Sequence, residues 1–567
     1  MEKRVLVCFL LVFCLGFGVA ESYYVSPSGS ASWSGCKSSS GPYCSLDVAN
    51  KNAVAGDVVI LINGKYTTTI APKNSGEKGN RIVYRAQNQY GAVFDGCSYG
   101  VYLEEGDDYI TIDGIYFYET KSRWMKLFGA DNTLVKNCKF YIAHAYSGIV
   151  IGDHDSGSVS YDTIFRNNIF EDGEPTSSSP DMPSDGIRID LADRTLIENN
   201  SFGNARHACV GTSYVRPIRT VIKNNIFKNE WHSSIPSGGS QVLVENNLVY
   251  GGRVGGNPYF EDKAENAGLY VTTSNDAIWR KNVVWDYEYG AYMGATFINS
   301  SNVKFYSNTL YNNWMQIPVS QNSEPDTFFS YYDVKNNILS LDNPTKPNKL
   351  GGVCFVKATQ DAGDNAVQFV ACANHYNQYP FNPTNDYSYN LFHGMPDKLY
   401  YPSTSSNEKS LSELEYTYSE WHDNLVGDPK FKDTGNHDFT LRKDSAAIDS
   451  GDFLTRIVDS GFKSVIRVED AWYFYDGWKI EGETGDVIKT ESGEVAQITN
   501  INYNTNTITV DSAINVIKGE GISLYYEGEK PDIGAYEFFS SGSDGPVIVE
   551  PYCGDGVCDS LESCLSC

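Results

Sequence analysis

The sequence predicts an all-β fold, a right-handed parallel β-helix built as a single-chain solenoid, and three observations carry that prediction. First, the segments TLVKNCKF, TIFRNNIF, TLIENNSF, TVIKNNIF, VLVENNLV, AIWRKNVV, VKFYSNTL and YDVKNNIL align without gaps. Second, their second turn residues are Cys138, Asn168, Asn200, Asn225, Asn247, Asn282, Asn308 and Asn337, at intervals of 30, 32, 25, 22, 35, 26 and 29 residues. Third, each segment is too poor in apolar residues to form a core alone, so stacking must supply one. Asn suits the turn because stacked amides can bond from rung to rung and tolerate left-handed backbone. Parallel strands advance about 4.8 Å per rung, so roughly ten rungs make a rod of about 45–50 Å. Right-handed coiling is the rule for parallel crossovers.

The elements follow in chain order. Residues 1–20 join Lys3 and Arg4 to an apolar run from Val5 to Val19, with Gly18 and Ala20 before a cleavage point. That reads as a secretory signal, too short and wrongly flanked to be a spanning helix, with a retained N-terminal anchor as the alternative. A secreted or cell-surface protein is expected, with no membrane insertion once the signal is removed. The β-helix occupies 21–452, and Leu46 to Ala53 reads as a short helix capping its open end. Residues 453–530 form a small β module inserted near the end of the rod, marked by the hairpin pattern AQITNINYNTNTITVDS. Residues 531–539 return as a final β-helix strand, 540–552 are a linker, and 553–567 are a Cys-rich tail.

Cysteine usage fits an oxidising compartment. Cys36 and Cys44 bracket a Ser/Gly-rich loop and read as a disulfide; Cys354 and Cys372 can pair across a loop. Cys553, Cys558, Cys564 and Cys567 read as two disulfides in the tail. Cys97, Cys138 and Cys209 sit in strand-like runs as small buried fillers. The net charge of −27 excludes nucleic acid and anionic membrane surfaces as partners. It leaves an extracellular polysaccharide, acidic ones included if cations are recruited. A monomer is expected.

At this point a family resemblance emerges. YYVSPSGS, AGDVVILINGKYTTTIAPKNSG, the N-N-x-F rungs, SAAIDSG and PDIGAYEF together resemble the right-handed parallel β-helix repeat proteins related to polysaccharide lyases, the pectin-lyase-like superfamily. The resemblance runs from about Tyr23 to Phe538. It implies the fold; for activity it implies only a group that mixes lyases, glycosidases, epimerases and proteins of no known role. Neither the paired-Asp pattern of polygalacturonases nor the Lys/Arg and calcium-acid set of chondroitinase-B-like lyases is found. The tail, CGDGVCDSLESCLSC, resembles a Cys-rich CGDGxC module that often continues further, so a truncated chain is one reading of its end.

Candidate chemistry comes from aligned rungs. The strands SGIVIG, DGIRID, HACVGT, HSSIPS, AGLYVT and YGAYMG place Asp185, His207 and His232 in one predicted column, with Arg188, Asp190 and Arg253 beside it. Long insertions precede the Asp185 and Ala267 rungs, predicting a cleft between them. A β-eliminating lyase needs a base for the proton next to a uronate carboxylate and a cation or Arg for the charge that develops. His207 or His232 fits the base, tuned by Asp185, and Arg188 or Arg253 the carboxylate partner. A glycosidase instead needs two carboxylates, from Asp185, Asp190 or the Glu261 loop. Tyr270, Tyr292, Glu261 and Lys263 are expected substrate contacts. An Asp-His-His metal site is a further reading, and Ca²⁺ is the cofactor expected of an acidic exported β-helix. The competing function is a non-catalytic glycan-binding or stalk protein. Lys136, Arg166, Glu198, Lys223, Glu245 and Arg280 read as an exposed ion-pair ladder, and the adjacent Arg194 and Arg219 as a possible anion site.

Overall fold

The computed structural model describes residues 21–171, 185–203, 205, 208–212, 217–228, 233–252, 267–295, 299–313, 315–321, 329–342, 367–372, 384–394, 400–402 and 409–539. Parallel strands coil into a right-handed β-helix with three faces per rung. A typical rung runs from Asp185–Ile189 on sheet I, through Ala192–Glu198 on sheet II, round an Asn turn, to Ser201–Phe202 on sheet III. Sheet III alone holds 13 strands, so the rod is nearer 60 Å at about 4.8 Å per step. The added rungs include Gly64–Tyr66 and Ala92–Cys97, which lack the N-N-x-F segment and so escape the repeat pattern.

The Asn ladder is the spine of the fold. The backbone N–H of each ladder residue donates to the next side-chain carbonyl, from Cys138 through Asn168, Asn200, Asn225, Asn247, Asn282, Asn308 and Asn337 to Asn390 and Asn424, at 2.8–3.1 Å. The residue before each ladder Asn takes left-handed backbone, with φ of 57° at Asn167, 54° at Asn199 and 55° at Asn224. Beside the ladder, Phe117, Phe140, Phe170, Phe202 and Phe227 stack through the core at 4.4–5.1 Å. The helix Leu46–Asn52, N-capped by Ser45, buries Leu46 and Ala49 at the first rung. Cys36 and Cys44 form the expected disulfide, and Cys97, Cys138 and Cys209 are buried free thiols.

The module at 453–530 is an antiparallel sheet of six strands between Thr455 and Leu524. It does not extend the rod near its end. It folds back over sheet II, sealing the outward column Ile164, Leu196, Val221, Leu243, Ile278 and Tyr306 into a shared apolar cluster. This corrects the reading of the neighbouring charge ladder as exposed. Its register is as expected, Lys136 to Arg280 on successive rungs, but Arg280 is 1% exposed. Lys223 pairs with Glu483 at 2.6 Å and Arg280 with Asp486 at 2.6 Å, so the ladder docks the module.

Residues 531–539 are likewise not a final strand. They run unpaired along sheet III, where Ile533 and Ala535 join Ile226, Leu248 and Val283 with the hairpin strands Phe431–Asp433 and Asp438–Leu441. The Gly534 N–H bonds to the Asn336 carbonyl and the Ala535 N–H to Thr309 Oγ1. The chain therefore clasps two outer faces of the rod. No helix among the described residues is long and apolar enough to cross a membrane.

Candidate functional site on sheet I

The two apolar clusters described outside the core cover sheets II and III. The outward column of sheet I is different in kind. Register pairs Lys126 with Val150, Val150 with Arg188 and Arg188 with Gly211. Three residues on from the Ala208–Ser233 pair, Gly211 neighbours Pro236, which pairs with Tyr270 and then Tyr292. Charged and aromatic residues thus share one line, and Arg188 lies four rungs, roughly 19 Å, from Tyr292.

Arg188 alternates with the core residues Ile187 and Ile189 and therefore points outward. Its Nε donates to Asp190 Oδ1 at 2.7 Å, and its Nη1 lies 3.5 Å from Asp185 Oδ2. The Tyr146 ring lies 5.9 Å from the guanidinium. Burial works against the cation, but the hydrogen bond and charge of Asp190, then Asp185, outweigh it and raise the Arg188 pKa further. Asp185 is 1% exposed and accepts from Ser147 Oγ at 3.4 Å. Gly211 completes the arrangement: a Cβ there would stand 3.3 Å from Asp185 Cγ. Its lack of a side chain leaves the room that the Asp185 carboxylate fills beside Arg188.

Tyr270 and Tyr292 stack at 4.8 Å and 9°. Their facing sides cover each other, and Tyr292 is only 7% exposed. A sugar ring can stack only from the outer side of the pair, with Tyr270 the more accessible member.

The predicted Asp185–His207–His232 column is corrected by register. Asp185 pairs with Ala208, and Ala208 with Ser233, so Asp185 is not in register with the sequence positions 207 and 232. The core decides this: Ile187 meets Val210 in the interior, whereas the expected alignment would set Gly211 against Ile189 and leave a hole. A one-residue slip moves every side chain to the opposite face. His207, His232, Arg253, Glu261, Lys263 and Cys354 lie outside the described residues, as do residues 1–20 and Cys553, Cys558, Cys564 and Cys567. Cys372 closes the strand Val367–Cys372. Arg194 and Arg219 do not form an anion site, because Asp162 and Asp193 neutralise them at 2.6–3.3 Å. Sequence reasoning missed Lys126 and Gly211; the alternation of MKL and VGT with the apolar columns was the available signal. Among the described residues no three His, Cys, Asp or Glu side chains converge to hold a metal ion. No chemical step is routed through calcium.

Residues 23–208 match the Pel9A-like right-handed β-helix region family, and residues 177–339 match the right-handed β-helix region family. No curated relative matches the chain. Among solved structures, a mannuronic-acid-specific family 6 polysaccharide lyase from human gut microbiota is 13% identical, with a TM-score of 0.45 over 72% of this chain and 92% of its own. Pectate lyase Pel9A is 15% identical, with a TM-score of 0.38 over 92% and 97%. A Yersinia enterocolitica family 28 exopolygalacturonase is 12% identical, with a TM-score of 0.39 over 61% and 71%. With the stacked rungs, the two family matches identify the fold as a right-handed β-helix, matched by the Pel9A-like region model over residues 23–208.

Proposed function

We propose that this is an exported, carbohydrate-active protein that takes an extracellular, uronic-acid-containing polysaccharide along the outer face of sheet I and cleaves it by β-elimination. The observation that carries the reading is Arg188: a half-exposed guanidinium clamped between Asp185 and Asp190, paired with Gly211 and in line with Tyr270. A fixed guanidinium suits a substrate carboxylate, whose charge grows as the neighbouring carbon loses its proton. Asp185 and Asp190 position that guanidinium. Their engagement with Arg188 ranks hydrolysis, which needs two carboxylates free to act on the sugar, below elimination. His207 and His232 immediately precede the strand positions aligned with Asp185, and either is the proposed base. Tyr270 supplies an apolar edge for a ring further along the chain.

The test is incubation with a panel of uronate polymers, following unsaturated-product absorbance and new reducing ends separately. Absorbance supports elimination, and reducing ends without absorbance would replace it by hydrolysis. Retained glycan binding with neither signal would establish the non-catalytic stalk. Replacing both His207 and His232 by Ala should abolish cleavage while leaving the melting transition in place; an active double variant would remove them from the chemistry.

A further inference from the structure

A second cavity lies away from sheet I, where the Asn turns face the returning C-terminal segment. It encloses about 250 Å³ and is lined by Asn224, Asn246 and Lys281 on one side and Tyr525, Tyr536 and Glu537 on the other. That is just below the roughly 300–1,000 Å³ of drug-sized sites, and gives room for one sugar ring. Asn224, Asn246 and Lys281 occupy the same left-handed turn position on three successive rungs, with φ of 55°, 54° and 55°. Their side chains rise from one fixed backbone column.

Comparable turn residues elsewhere are put to structural use. Asn137 Nδ2 donates to Asp113 Oδ1 at 2.9 Å, and Asn336 Nδ2 to the Asp452 carbonyl at 2.8 Å. Among the described residues, the half-buried amides of Asn224 and Asn246 and the ammonium of Lys281 make no such side-chain bond. They present donors and acceptors to the cavity instead. Tyr525, 40% exposed, stands on the opposite wall. Glu537 is turned onto the Asp532 N–H at 3.2 Å, and burial, then the Asp532 charge, pushes its carboxyl well above the usual range, which favours the neutral acid beside an anionic guest.

We infer that this cavity is a binding site for a single sugar acid, with Lys281 taking the carboxylate, Asn224 and Asn246 the ring hydroxyls, and the tyrosines the apolar ring face. It is separate from sheet I and does not depend on the reading given to that face.

The probes are glucuronate and glucose, followed by saturation-transfer NMR and titration calorimetry on the intact protein. Glucuronate should bind, glucose about tenfold more weakly, and Lys281→Met should weaken glucuronate binding by about tenfold, as loss of one charge-assisted contact implies. Asn246→Ala should weaken it by a smaller factor with an unchanged melt, which serves if Lys281→Met folds poorly. Absence of saturation transfer to glucuronate, equal affinity for glucose, or binding indifferent to both cavity variants would overturn the proposal.

Discussion

The docking of the module on the rod yields a quantitative prediction at Arg280. Its guanidinium is 1% exposed. Nη1 and Nη2 donate to Asp486 at 2.8 and 2.6 Å, Nη1 also reaches Tyr306 Oη at 3.1 Å, and Nε lies 2.9 Å from Glu245 Oε1. Arg280→Met keeps the apolar stem but strands two carboxylates. Breaking a buried pair by removing one partner costs about 3–5 kcal/mol. Here Asp486 keeps the Tyr475 N–H at 2.8 Å and Glu245 keeps the nearby charges of Lys281 and Lys223, which favours the lower end, about 3–4 kcal/mol. The loss falls on module docking, so hydrogen exchange in Val487–Thr490 and Val495–Asn502 should accelerate roughly 10²–10³-fold while Asn-ladder strands distant from the module hold their protection. Adding Asp486→Leu should recover most of the loss, because one stranded charge is gone. Unchanged exchange in Arg280→Met, or equal acceleration throughout the rod, would refute the assignment of this ion cluster to docking.

Further outcomes follow from other sites. Asn247→Ala removes an acceptor from the Asn225 N–H and Nδ2, and a donor to the Ile222 carbonyl and Asn282 Oδ1; urea unfolding should show a loss of about 2–4 kcal/mol. For Glu245, burial raises the carboxyl but Arg280 and Lys281 outweigh it and hold it below its usual range; its contribution to docking is present above the ordinary carboxylate pKa and lost as pH falls through the depressed value. Asp532 and Glu537 have the opposite sign. Burial raises Asp532 to about 6 and Glu537 well above its ordinary range, so their stabilisation is full below the unfolded carboxylate pKa and fades as pH rises through the folded values. Melts of Glu537→Gln against the parent should therefore converge in acid and favour the variant at neutral pH. Gly211→Leu should lower the melt and block polymer cleavage together, because its side chain displaces the buried Asp185 carboxylate that holds Arg188.

The rod was legible because its defining residues act locally. An Asn whose amide must meet the next Asn cannot drift in register, and the N-N-x-F segments align by eye as they do in space. What escaped the sequence was set by tertiary contact or by a single-residue offset. The alternating signs from Arg166 to Arg280 were read in the right register, but nothing local foretold that Glu483 and Asp486, some two hundred residues onward, would cover them. The His207 column failed because the polar residues opening each sheet I strand were aligned by likeness, whereas the interior pairing of Ile187 with Val210 sets the rungs. Arg188, Tyr270 and Tyr292 were placeable on sheet I because they sit inside strands whose apolar alternation is unambiguous. Gly211 was invisible for the converse reason: its role is a missing side chain, recognisable only once Asp185 stands beside it.

The central claim, that the outer face of sheet I cleaves a uronate polymer through Arg188, is tested most directly by product absorbance from such a polymer with the parent protein and Arg188→Ala. The account predicts unsaturated product from the parent and a fall of roughly 10²–10³-fold in the variant, the loss typical of removing a charge-stabilising donor, with the melt retained. An equal rate from a folded Arg188→Ala protein, or no unsaturated product from any uronate polymer, would contradict it.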